Sequence, residues 1–186
     1  IVKQGKALYV GISKYPPVQA KQAYEILKSA GVPCLISQYC YNMFNRAVED
    51  ETLALAASYG SGFISFSPLA QGLLTDKYLK GIPEHSRAAR STGFLQLDQV
   101  TDEKVHKASR LNEMASRRGQ TLAEMALAWI LRDERMTSVI VGASSVEQLA
   151  VNLRTLNNLD FTAEELSEID EILRTKKNGC KIWLLK

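Results

Sequence analysis

Four short stretches of the sequence put polar side chains where a parallel α/β architecture exposes its strand ends. They read Gly11-Ile12-Ser13-Lys14, Ser37-Gln38-Tyr39, Phe66-Ser67-Pro68-Leu69 and Val141-Gly142-Ala143-Ser144. In such architectures the working groups sit at the carboxyl ends of strands and in the loops just after them. Gln38 stands two residues from Ile36, so on a strand it shares a face with a core-type residue. A hydroxyl such as that of Ser13 and a carboxamide such as that of Gln38 can both donate and accept hydrogen bonds. Taken singly, each polar strand end is an ordinary turn; taken together, the four outline the mouth of a pocket. The fourth end carries a more specific chemistry. Gly142 permits close backbone approach. Ser144 and Ser145 lead into a helix whose first N–H groups favour an anion such as phosphate, and Gln148 lies about one turn further on. The same residues also form an ordinary helix cap, Ser145 with Gln148. The sequence leaves both readings open.

Other chemistries fit the counts poorly. Cys34, Cys40 and Cys180 show no C-x-x-C spacing, and His85 and His106 stand far from them. Neither a metal site nor a disulfide framework is expected, which suits a reduced, cytoplasmic protein. Lys and Arg number 23 against 20 Asp and Glu, a net charge of +3 that is too small and too dispersed for a nucleic-acid partner. No run of about 18 apolar residues exists, so no membrane span is expected. The 186 residues are 46% hydrophobic, enough to bury a core as one domain and to exclude general disorder. The chain opens on Ile1, and residues 1–4 hold no secretory signal; it reads as if cut from something longer.

The elements that must position these residues follow from pattern. Residues 8–13 form a β-branched and aromatic run after Gly5, which predicts a strand. Pro16 and Pro17 then open a helix with an apolar stripe at Ala20, Ala23, Tyr24 and Leu27, stopped by Gly31. The unit repeats: a strand at 35–39, a helix at about 49–59 ended by Gly60, and a strand at 63–66. Residues 67–100 hold Gly72, Gly81, Pro83 and Gly93 and little periodicity, the mark of a functional or mobile loop. Helices are predicted at about 102–118 and 122–132, the second capped by Thr121 with Glu124 and carrying Trp129 on its core stripe. A fourth strand is expected at 138–141. Ser145 caps the next helix, and Thr162 with Glu165 caps a last one bearing Leu166, Ile169 and Leu173. Strands alternating with helices imply a parallel sheet with helical crossovers. Residues 1–175 make one unit, and the basic-then-apolar tail at 176–186 fits no pattern.

The runs GKALYVGIS, QYCYNMFNR, SFSPLAQGLLTDKY, SRA and VIVGASSVEQL with Asn152 beyond it, in this order, resemble the second half of an aldo-keto reductase. The similarity is to bacterial glyceraldehyde-phosphate-type reductases and to potassium-channel β-subunits, and covers roughly residues 5–173. It implies the C-terminal half of a (β/α)8 barrel, about four βα units, that binds NADP (as NADPH) without a glycine-rich dinucleotide fingerprint. By the same resemblance, Ser13 and Gln38 would hold the nicotinamide carboxamide, and Phe66 would stack on the ring where the family usually has Tyr or Trp. Ser67, Pro68 and Leu69, with Gln71, Gly72 and Lys77 after them, would line the pyrophosphate. Arg87, Ser144 and Gln148, beyond Gly142, would take the 2′-phosphate, and Asn152 would meet the adenine. Val151 stands where the family often has an acid, and Lys14 where relatives carry Asn, Arg or Ser.

The family's chemistry uses an Asp, a Tyr, a Lys and a His from the first half of the barrel, and no position here matches them. Tyr39, Tyr41 and Lys77 are not substitutes, so no catalytic residue is assigned to this chain. The expectation is the cofactor half of a reductase that converts an aldehyde or ketone to an alcohol, inactive alone. A cofactor-sensing regulatory subunit and a non-catalytic half-barrel are the alternatives. Four strands cannot close a barrel, because closure ties strand number to shear and tilt. The free edges are therefore expected to seek a second copy or a first barrel half.

Overall fold

Each strand is a short run whose alternate residues must face different surroundings, and each helix carries one apolar stripe to cover them. The computed structural model describes residues 1–84, 86, 88–89 and 95–174. Arg87 and the 176–186 tail, with Cys180, lie outside the described residues. Strands β1 (Val10–Ser13), β2 (Cys34–Cys40), β3 (Gly62–Phe66) and β4 (Met136–Val139) form one parallel sheet in the order β1-β2-β3-β4. Helices α1 (Pro17–Ser29) and α2 (Thr52–Ser58) connect the first three strands; α3 (Asp102–Arg117) and α4 (Leu122–Leu131) precede β4; α5 (Val146–Arg154) and α6 (Ala163–Leu173) follow it. This is the layout of a partial (β/α) barrel.

Helix ends follow local chemistry. Pro17 sits in the first turn of α1, where its missing N–H is not needed, and Gly31 takes φ +70° just past the end, so that Val32 N–H can return to the Leu27 carbonyl. Thr121 and Glu124 close a reciprocal capping box on α4, and Thr162 with Glu165 does so on α6. Helix α4 is apolar on nearly every side because it lies between β4, α3 and α5. Its Trp129 is buried and has two guanidinium groups near its ring, Arg46 at 5.1 Å and Arg132 at 4.0 Å.

The sheet has two unlike faces. Ser37, Tyr39, Phe63 and Ser65 are buried, with Tyr39 stacked on Phe63 at 5.1 Å. Ser37 shares its hydroxyl with Tyr24 of α1 (2.7 Å) and with Ser61 (2.8 Å). The other face carries Gly11, Ser13, Ile36, Gln38, Gly62, Ile64, Phe66 and Ser138, all half-buried or exposed. There Gly11 and Gly62 flank Ile36, and a Cβ on either would meet the Ile36 side chain at under 3 Å.

Two boundaries differ from the sequence pattern. Strand β4 begins and ends two residues earlier than 138–141. Thr137 Oγ1 accepts the Phe63 N–H (3.1 Å) at a bulge, and Ile140 N–H donates to the Ser65 carbonyl (2.8 Å), after which β3 offers no further partner. Helix α2 is also shorter than 49–59, since residues 47–51 form turns and Glu49 is drawn into ion pairing with Arg46. The 67–100 segment contains short 3-10 turns at Ala70–Gly72, Asp76–Tyr78 and Leu97–Gln99 among its described residues.

The buried Glu124 ties α4 to α5. It accepts from the Thr121 N–H (2.7 Å), the Thr121 hydroxyl (2.8 Å) and Arg154 Nε (2.8 Å). Burial raises its pKa, but these bonds outweigh it and hold the carboxyl below its ordinary value. A depressed folded-state pKa gives stability that is present above the unfolded pKa of about 4.3 and is lost as pH falls through the folded value. Glu124→Gln is therefore expected to lower stability by about 1.5–3 kcal/mol at pH 7. In urea unfolding, the gap between wild type and variant should shrink at pH 3; a gap independent of pH would show that charge is not what Arg154 and Thr121 recognise.

Candidate functional site

Because the four strands are parallel, their carboxyl ends share one edge of the sheet, and Ser13, Gln38 and Phe66 fall there. Register sets Ser13 of β1 opposite Gln38 of β2, and Cys40 of β2 opposite Phe66 of β3. Paired residues in a sheet point to the same face, so Ser13, Gln38 and Phe66 all lie on the face without the buried helix-side residues. Among the described residues, neither the Ser13 hydroxyl nor the Gln38 carboxamide has a hydrogen-bond partner in the protein. Phe66 lies on the next strand, two residues nearer the carboxyl edge, with Lys14 Nζ 6.0 Å from its ring centre. Lys14 turns the chain out of β1 with φ +62°, while its N–H still donates to the Gln38 carbonyl (3.1 Å).

The titratable neighbours are unsuited to proton transfer at this face. Tyr39 points to the helix side and donates to the Tyr15 carbonyl, and burial pushes its pKa up to about 12. Burial also raises Tyr41, whose hydroxyl donates to Glu49 Oε1 (2.7 Å). The pKa of the Cys40 thiol is pushed up by burial. Among the described residues no group of three or more His, Cys, Asp or Glu could hold a metal ion.

The loop after β3 is built from unusual backbone. Ser67 (φ +52°), Ala70 (φ +47°) and Gln71 (φ +61°) are left-handed without being glycine, and Gly72 follows at φ +100°. Ser67 is held from two sides: Asn42 Nδ2 donates to its carbonyl (2.9 Å) and Gln71 Nε2 to its hydroxyl (2.9 Å). Pro68 is buried and Leu69 packs on the main core, so both anchor this loop. Lys77 is exposed, its own N–H donating to the capping hydroxyl of Thr75.

At the fourth strand end, Gly142 and Ser144 are exposed, and Asn152 is half-buried on α5. The Ser144 N–H and hydroxyl both contact Gln148 Oε1 (2.9 and 3.1 Å), and Gln148 N–H donates to Ser145 Oγ (3.3 Å). Glu147 adds a carboxylate to the first turn; its own N–H and the Ser145 hydroxyl hold its pKa below the usual value. The capped arrangement is thus the one present, and an anion meeting Ser144 would have to displace Gln148 Oε1. Two cavities lie elsewhere, one lined by Tyr24, Lys28, Pro33, Cys34 and Tyr59, the other by Met43, Phe44, Leu173 and residues of α3.

Sequence reasoning passed over Asn42. Its bond to Ser67 spans 25 residues, so no local pattern reports it. The only signal was an Asn shortly after a strand, where its side chain commonly fixes a turn. The left-handed turn at Lys14 yields a direct prediction. A left-handed non-glycine residue costs about 1–2 kcal/mol. Lys14→Gly should therefore be about 1 kcal/mol more stable than Lys14→Ala, the variant that loses the same charge and keeps the strain, in urea unfolding. Equal midpoints would show that the turn carries no strain.

The chain matches the model of the Aldo/keto reductase family over residues 1–174. It is 49% identical over 174 residues to the L-glyceraldehyde 3-phosphate reductase of Escherichia coli O157:H7 and 47% identical over 174 residues to that of Escherichia coli (strain K12). Each match covers 91% of this chain and 50% of the relative, so the chain spans about half the length of the curated relatives it matches. A family match across residues 1–174, on a parallel sheet whose polar strand ends share one edge, establishes that the chain belongs to the aldo/keto reductase family.

Proposed function

We propose that the chain is the cofactor-holding half of an NADP-dependent aldo-keto reductase that converts an aldehyde or ketone to an alcohol. The observation that carries this reading is the pairing of Ser13 with Gln38, side by side on the half-buried face and without a hydrogen-bond partner among the described residues, with Phe66 one strand further on. Hydroxyl and carboxamide together can satisfy the donor and the acceptor of a planar amide, which fits a nicotinamide carboxamide. When bound, NADPH supplies the hydride that reduces a carbonyl carbon.

The chain's own residues act by binding and orienting. Ser13 and Gln38 fix which face of the ring is turned outward, and Phe66 offers its ring face to the other side. Ser67, Gln71 and Gly72 present loop backbone and polar groups to the pyrophosphate, with Pro68 and Leu69 as anchors and Lys77 as a nearby cation. Ser144, Gln148, Asn152 and Arg87 take the adenosine end, and a charged 2′-phosphate gives Ser144 a reason to exchange its bond to Gln148. The general acid and its tuning groups belong to the complementary barrel half. Covering the bare face and the edges at β1 and β4 is the task of that half or of a second copy. The free thiols Cys34 and Cys40 suit a reducing, cytoplasmic setting. Given the two Escherichia coli relatives, the proposed substrate class is a small phosphorylated aldehyde.

The test is a chimera in which this chain replaces the matched half of the Escherichia coli (strain K12) reductase. With L-glyceraldehyde 3-phosphate, the chimera should oxidise NADPH in preference to NADH. The 186-residue chain alone should show no turnover, since general acid–base catalysis is worth roughly 10²–10⁴-fold. Turnover by the chain alone, or a folded chimera inactive with both cofactors, would overturn this function.

A further inference from the structure

Asn42 is buried just past the end of β2, where its Nδ2 also lies 3.9 Å from Cys40 Sγ, and its carboxamide bonds to two loops at once. Oδ1 accepts the N–H groups of Phe44 (2.9 Å) and Asn45 (3.0 Å), which closes the turn after β2. Nδ2 donates to the Ser67 carbonyl (2.9 Å), across to the loop after β3. Ser65 repeats the link one step earlier, its hydroxyl donating to the Tyr41 carbonyl (2.6 Å). Ser67 is the residue at which the chain leaves β3 with φ +52°, directly after Phe66, and it opens the segment containing Ala70 and Gln71, also left-handed. Conformations of this kind cost about 1–3 kcal/mol each and persist only where the surroundings hold them.

We infer that Asn42 is a positioning residue for the cofactor: it holds the Ser67 turn in its left-handed form and thereby sets both the Phe66 ring and the loop offered to the pyrophosphate. This role rests on the proposed NADP reading. Without the tether the turn relaxes toward ordinary backbone, and the binding-competent fraction falls. Apparent affinity falls in proportion to that fraction, so a drop to about one tenth raises the apparent Kd roughly tenfold. Asn42 itself touches no ligand; its effect runs through the Ser67 carbonyl.

The experiment uses the full 186-residue chain titrated with NADP+. Asn42→Ser keeps a hydroxyl that can accept from the Phe44 and Asn45 N–H groups but is too short to reach Ser67; Asn42→Ala loses both links. Both variants should bind NADP+ roughly tenfold more weakly. The urea midpoint of Asn42→Ser should stay close to wild type, and its Ser67 amide coupling should move away from the left-handed value. Wild-type affinity in Asn42→Ser, or a loss matched only by a fall in stability with Ser67 unchanged, overturns the inference. Absence of NADP+ binding by the wild type overturns the cofactor reading and this role with it, a result distinct from normal binding by the variant. Should either variant fail to fold, the wild type decides: NADP+ must shift the Asn42 side-chain amide together with the Ser67 amide resonance, and an unmoved Asn42 overturns the role.

Discussion

The candidate site depends on one constraint, the parallel register that sets Ser13 beside Gln38 and Cys40 beside Phe66. In a strand a slip of one residue moves every side chain to the opposite face. The buried side of the sheet prevents that slip. Tyr39 stacks on Phe63, Ser37 is bonded to Tyr24 and Ser61, and Ser65 donates to the Tyr41 carbonyl. If β2 shifted by one residue, Gln38 would enter the helix-packed side with no partner, and Tyr39 would lose its bond to the Tyr15 carbonyl. A buried polar group without a partner costs about 1–3 kcal/mol, so the packing on one face dictates the chemistry on the other.

The same constraint explains why the second face is only half-buried. Every helix that contacts a strand belongs to a connection of the kind that covers a parallel sheet from outside, and the buried residues of β2 and β3 alternate with open ones. Ile36, wedged over Gly11 and Gly62, is the beginning of an interior that four strands cannot enclose. In a closed eight-stranded barrel these positions fill a packed core, and strand ends on the carboxyl side carry function. A chain that spans about half the length of its curated relatives shows that division directly: a finished outer layer and half of an inner one.

Much of this was legible in the sequence because the signals were local. The capping boxes at Thr121 with Glu124 and Thr162 with Glu165, the stop at Gly31 and the alternation of strand with helix each depend on residues within a few positions of one another. The start of β4 was not legible, because the bulge beside Phe63 is set by Thr137, 74 residues away. At the start of α5 the sequence permitted both a cap and an anion site, and the structure displays the cap. Ser13, Gln38 and Phe66 were brought to one edge as parallel strands require. The tether from Asn42 to Ser67 escaped notice, since neither residue type nor spacing announces a bond between two loops.

The role of the Ser13–Gln38 pair can be read most directly from the Gln38 side-chain amide by nitrogen–proton correlation spectroscopy of the whole chain. If this pair holds a nicotinamide carboxamide, NADP+ shifts the Gln38 side-chain amide, and adenosine 2′,5′-bisphosphate, which lacks the nicotinamide, leaves it in place while moving resonances near Ser144. A Gln38 amide that ignores NADP+, or responds equally to both ligands, would contradict that role.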